Sequence, residues 1–179
     1  MIHPSQTRGF YGKPAAFTLI ELLIVIAIIA ILAALALPAM SGSIDSAKKT
    51  TAKNQAVQIA TAITAYETEY GRLPPFTGSN MSAANIAMLT SSDSSNNPRG
   101  INFIDLSTWK SGKGGTNGNG FCDPFSSANS YQFALDTNYA NQITVPTNAS
   151  GSTATIIKHI GVWTIPKVGK ISVLINSWD

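Results

Sequence analysis

The stretch FTLIELLIVIAIIAILAALALPAM, residues 17–40, constrains this chain more than any other. Residues 22–39 hold no charged and no hydrogen-bonding side chain. At about 1.5 Å per helical residue, that run is about as long as a bilayer's hydrocarbon core is thick. It is apolar on every face, unlike the one-sided helix of a soluble domain. Yet Glu21 stands one turn inside its start. A carboxylate in lipid costs about 2.5 kcal/mol or more at mid-depth, so Glu21 needs a partner.

The rest of the chain divides around this stretch. Residues 1–16, MIHPSQTRGFYGKPAA, are basic, free of acids and broken by Pro4, Gly9, Gly12 and Pro14. They read as a leader left in the cytoplasm. A cleaved secretory signal is the plain alternative, with small residues at Ala34 and Ala36. Against it stand the length of the apolar run, the acid at its start, and a helical pattern that continues past its end. Beyond Pro38, Ile44, Ala47, Ala56, Ile59, Ala60, Ile63, Tyr66 and Tyr70 recur at helical spacings, mostly on one face. Gly71 and Leu73-Pro74-Pro75 supply the stop. One long helix is expected, apolar first and amphipathic after, with a kink or melted turn at Pro38.

Residues 76–120 are polar and irregular. A short helix is expected over 82–89 with Ile86 and Leu89 inward, an extended piece over 101–104, and a flexible loop over 110–120. That glycine-rich loop lacks the Gly-Lys-Ser/Thr ending of a phosphate cradle. Residues 131–135, 155–164 and 170–178 read as strands, with a turn at 166–169 between the last two. A small antiparallel sheet on the amphipathic half of the helix would bury both apolar faces, an α+β arrangement.

Little else suggests chemistry. The net charge is +3, and Arg8 and Lys13 of the leader supply two of the positive charges. Nucleic-acid binding is not expected, since the densest basic cluster is Lys48, Lys49 and Lys53. Cys122 is the only cysteine, so no internal disulfide can form. His159 reads as a strand-face residue and Cys122 as a structural thiol. Asp123 and Asp136 read as loop caps, with an ion site as the alternative, and Trp109, Trp163 and Trp178 as packing. Glu67 and Glu69, two apart on a helix, cannot face each other as an acid/base pair.

The segment Phe17-Thr18-Leu19-Ile20-Glu21, followed by the apolar run, closely resembles the class III signal of type IV prepilins and type II secretion pseudopilins. Pro38 falls where that family has its helix-interior proline. Residues 66–74, Asp123-Pro124-Phe125 with Ser130-Tyr131-Gln132-Phe133, Val162-Trp163 and Ser177-Trp178-Asp179 resemble the major pseudopilin branch. The resemblance implies a pilin fold divided into a leader (1–16), a transmembrane helix (17–40), an amphipathic helix (41–73), and a loop region with a β-sheet head (74–179). It implies a structural filament subunit rather than an enzyme. Prepilin peptidase would cut between Ala16 and Phe17 and methylate the new Phe17 amine. Glu21 would neutralise the Phe17 amine of a neighbouring subunit, and Pro38 would mark the segment that loosens on assembly.

The implied partners are further copies of the chain, minor pseudopilins, the inner-membrane secretion platform with its ATPase, and membrane lipid before assembly. The protein would cross the bacterial inner membrane once, its N-terminus cytoplasmic and its head periplasmic. The alternatives are a type IV pilin for adhesion, motility or DNA uptake, and a membrane-anchored binding domain that never polymerises. Two departures from the family are visible: Ala16 replaces the usual Gly before the cut, and the loop 164–170 has two lysines and no acid. Major pseudopilins often bind calcium there. Calcium needs several oxygen ligands, so none is expected at this loop.

Overall fold

The structure, a computed structural model, describes residues 17–178. The chain forms two compact units, Met1–Ser41 and Gly42–Asp179. Helix α1 (Leu19–Tyr70, 52 residues) contributes to both. In the first unit, Leu, Ile and Ala dominate and glycine is absent from residues 19–41, which favours helix. Its large apolar side chains are exposed, from Leu19 at 88 % to Val25 at 47 %. The helix contains an 18-residue window of mean hydropathy 3.1, long and apolar enough to cross a membrane. Residues 1–16, where a leader ending at Ala16 is expected, lie outside the described residues.

In the second unit the same helix has one buried face. Ala52, Ala56, Ile59, Ile63 and Tyr66, spaced by three and four residues, are fully buried. Ile44, expected on this face, is exposed. The buried face packs on Phe121, Tyr131, Phe133 and Val162 in one core cluster. The helix ends with Gly71 in the left-handed region (φ 66°), whose N–H donates to the Glu67 carbonyl, as a glycine stop should.

Among the described residues nine short strands follow: β1 (Gly115–Asn117), β2 (Gly120–Cys122), β3 (Gln132–Leu135), β4 (Ile143–Pro146), β5 (Thr153–Ile156), β6 (Ile160–Thr164), β7 (Lys167–Val168), β8 (Ile171–Ser172) and β9 (Ile175–Asn176). The central sheet is antiparallel in the order β3-β6-β9, with Phe133 opposite Val162 and Thr164 opposite Ile175. The pairs β1–β2, β4–β5 and β7–β8 are antiparallel two-stranded sheets. Ile143, Val145 and Trp163 form a second, smaller cluster, and Trp178 meets Trp163 edge to face at 5.9 Å. The class is α+β, a long N-terminal helix followed by small antiparallel sheets, consistent with a pilin fold.

Several stretches differ from their sequence reading. The strand expected over 155–164 is two strands, because β5 pairs with β4 while β6 leaves to pair with β3. The strand expected over 170–178 is also two. β8 turns back on β7 across Gly169 (φ 63°), leaving Ile171 exposed, and only β9 joins the central sheet. The glycine run 110–120 is not a loose loop but part of the β1–β2 hairpin. Gly120 (φ 114°) lies so close to the Met81 carbonyl that a Cβ would collide with it. Glycine here permits close backbone approach rather than motion.

The short helix α2 (Ala83–Met88) forms as expected, capped by the Ser82 side chain, with Ile86 and Leu89 buried. The segment 101–104 has no strand; its Phe103 N–H donates to the Leu89 carbonyl. Two buried asparagines organise the irregular middle. Asn85 donates to the Thr77 and Asn80 carbonyls, both at 2.8 Å. Asn97 donates to the Thr90 and Ile101 carbonyls, both at 2.7 Å, and accepts from the Tyr70 hydroxyl at 2.6 Å. The second network fastens the middle segment to α1.

Candidate functional site

The N-terminal end of α1 carries the residues that the sequence singles out. Phe17 and Thr18 precede the helix, and Phe17 is 80 % exposed. Thr18 occupies the cap position and Glu21 the third helical position. The Glu21 N–H donates to the Thr18 hydroxyl oxygen at 3.3 Å. The Thr18 N–H and hydroxyl donate in return to Glu21 Oε2, at 2.8 and 2.7 Å. This reciprocal arrangement is a capping box, in which a Thr and a Glu three residues on satisfy otherwise unpaired helix N–H groups. A carboxylate near a helix N-terminus also faces the positive end of the helix dipole.

Thr18 is thus a local partner for Glu21, beyond the partner that its cost in lipid calls for. The signal that identifies one was present: Thr18-x-x-Glu21 immediately before an apolar run is the capping-box pattern. Among the described residues, both hydrogen bonds to the Glu21 carboxylate fall on Oε2. Pro38 stands within α1; its side chain lies outside the described part, as does Ala16, the residue expected before the cut.

Elsewhere the polar groups hold the fold. Asp123, fully buried, accepts from the Phe125 and Ser126 N–H groups and through Oδ2 from Asn129 and the Thr164 hydroxyl. Asp136 accepts from the Ala140 N–H at 3.0 Å and the Asn141 N–H at 2.5 Å. Both are loop caps, as their sequence context suggests. Trp109 Nε1 donates to the Asp123 carbonyl at 2.8 Å, and Trp163 Nε1 to Gln132 Oε1 at 2.7 Å. Cys122 is buried beside the Ser127 carbonyl at 3.2 Å. Burial and then the neighbouring Asp123 carboxylate push its thiol above the usual range.

Glu69 pairs with Arg99, and Glu67 with His159 at 2.9 Å. The two acids have separate partners and do not act on one another. His159 lies between β5 and β6 rather than on a strand face as expected, and its ring nitrogens face two carboxylates. Its partner Glu67 is 92 residues away in sequence, where no local spacing could reveal it. Among the described residues, no three of His, Cys, Asp and Glu are grouped so as to hold a metal ion. The loop 164–170 forms one side of the β7–β8 pair.

Residues 13–37 match the model of the prokaryotic N-terminal methylation motif. No curated protein and no solved structure matches the chain. The motif supports a type IV pilin-like subunit carrying a class III signal, a structural component rather than an enzyme. It implies processing by prepilin peptidase and filament assembly, and with the apolar helix it suggests an inner-membrane anchor.

Proposed function

We propose that this chain is a pseudopilin of a type II secretion system, a subunit whose short filament drives protein export. One observation carries the reading. Phe17 and Glu21 fall within the stretch that matches the methylation motif, at the start of a helix whose large apolar side chains are exposed. Such a surface requires a covering, first lipid and then neighbouring copies, and the hydrophobic effect supplies the cohesion of the bundle. Residues 1–16 are the leader. Prepilin peptidase cuts between Ala16 and Phe17 and methylates the new amine. Residues 17–40 then anchor the subunit in the inner membrane, 41–73 continue the helix, and 74–179 complete the head outside the cytoplasm.

Glu21 sets register. In the isolated subunit Thr18 occupies Oε2, which makes the carboxylate tolerable near the membrane surface. In the filament the Phe17 amine of a neighbouring subunit neutralises it, because a charge in a low-dielectric bundle is acceptable only when paired. Pro38, which lacks an N–H, is where α1 loosens on assembly. The secretion platform with its ATPase extracts subunits, and minor pseudopilins complete the filament. The C-terminal motifs around Asp123, Tyr131 and Trp178 favour a pseudopilin over a type IV pilin.

The test is filament assembly from a Glu21→Ala variant, scored by electron microscopy of sheared filaments beside wild type and Glu21→Asp. Loss with alanine at normal membrane levels, and partial recovery with aspartate, is expected. Wild-type filament yield from Glu21→Ala would remove the register role.

A further inference from the structure

His159 lies between two carboxylates brought from distant parts of the chain. Its Nε2 faces Glu67 Oε1 of α1 at 2.9 Å. Its Nδ1 faces Asp136 Oδ2, just after β3, at 3.2 Å. A neutral imidazole has one N–H and one lone pair, so it can donate to only one of these acceptors. The other carboxylate would then face a lone pair. Only the imidazolium donates to both at once. With both nitrogens engaged, the ring is also unavailable as a general base.

The loop that Asp136 anchors is strained. Tyr139 (φ 54°) and Asn141 (φ 56°) occupy the left-handed region without being glycine, a conformation that persists only when its surroundings enforce it. The enforcement is visible. Asp136 accepts from the Ala140 and Asn141 N–H groups, its own N–H donates to the His159 carbonyl, and the Tyr139 ring lies 5.6 Å from the imidazole.

We propose that His159 is a proton-operated clasp: as the imidazolium it joins α1 to the loop 136–141, and as the neutral ring it releases one of the two. Every titratable group packed around it fits this role. Glu67 faces it from α1, and Asp136 and Tyr139 from the loop after β3. Lys158 shares a cleft with Glu67 and His159 and, among the described residues, is the one cation lining it. Ser177 and Trp178, from the C-terminal segment, line the same cleft and carry no charge. Burial alone would favour the neutral ring, but the two carboxylates outweigh it and raise the His159 pKa. The head therefore senses acidity around it through a contact between its helix and its sheet edge.

The test uses the full chain in detergent micelles and reads the imidazole nitrogen resonances by NMR, assigned by their loss in His159→Gln. Both nitrogens should report N–H in mildly acidic solution, with a midpoint above the ordinary value of about 6.5. Glu67→Gln should lower that midpoint. A wild-type midpoint at or below the ordinary value, or one unmoved by Glu67→Gln, would overturn the clasp. As a second reading, amide exchange at Ala140 and Asn141 is compared with that at Val162 at one fixed pH below the midpoint. Losing one hydrogen bond should make exchange about five- to tenfold faster in His159→Gln. An unchanged ratio would refute the release.

Discussion

Ile63→Ala tests whether the second half of α1 is held by one face. Ile63 is fully buried in the core cluster with Tyr66, Phe121, Tyr131 and Phe133. Truncation removes several packed carbon atoms and leaves a cavity in close-packed surroundings, a cost of about 2–5 kcal/mol. For a cooperative unit of this size, about 3 kcal/mol lowers the melting temperature by roughly 10 °C. Val57, on the same helix, is 42 % exposed. Val57→Ala loses about 0.8 kcal/mol of partial burial and recovers much of it in helix propensity, so its net effect is near zero. Thermal melting of both variants in detergent, followed by tryptophan fluorescence, separates the faces. Equal melting temperatures for the two variants would refute the assignment of the buried face.

Gly120→Ala should leave no folded head, because the added Cβ meets the Met81 carbonyl and φ is 114°; normal tryptophan near-ultraviolet dichroism in this variant would contradict that. Cys122, buried and with its thiol pKa raised by burial and Asp123, should resist maleimide in the native protein and react after denaturation; rapid native labelling would contradict it. The stability of the head should peak in mildly acidic solution. His159, with a raised pKa, contributes fully below about 6.5 and loses its contribution as pH rises through its folded value. For Asp136, burial pushes the carboxyl up, but the Ala140 and Asn141 N–H groups and the His159 ring outweigh it, so the net shift is downward. Its contribution is present above about 3.9 and lost as pH falls through its folded value. Melting curves between acid and alkaline pH should show this plateau in wild type and lose its alkaline edge in His159→Gln.

The parts legible in sequence are those set by neighbouring residues. The apolar run, the three-and-four spacing through Ile59, Ile63 and Tyr66, the Gly71 stop and the short helix over 82–89 all depend on residues within a turn or two. The alternation at 131–135 likewise marks β3 correctly. Choice of strand partner is not local. Nothing within residues 155–164 tells that Ile156 pairs with Ile143 while Val162 pairs with Phe133. Glycines at 114, 115 and 120 read as flexibility because the backbone they must approach is remote in sequence. At the N-terminal site, residue types point to Glu21, and the Thr18-x-x-Glu21 spacing marks its cap three residues before it. His159 was invisible as a clasp because its carboxylates lie 92 and 23 residues away.

The central claim is that the chain is a processed filament subunit, and the intact mass of the membrane-extracted protein tests it most directly. Combined with N-terminal fragment sequencing, the account predicts a chain beginning at Phe17 with a methylated amine. A chain beginning at Met1 would describe a plain anchored protein, and one beginning near residue 37 or beyond would describe an ordinary secretory signal. Either result would contradict the filament account.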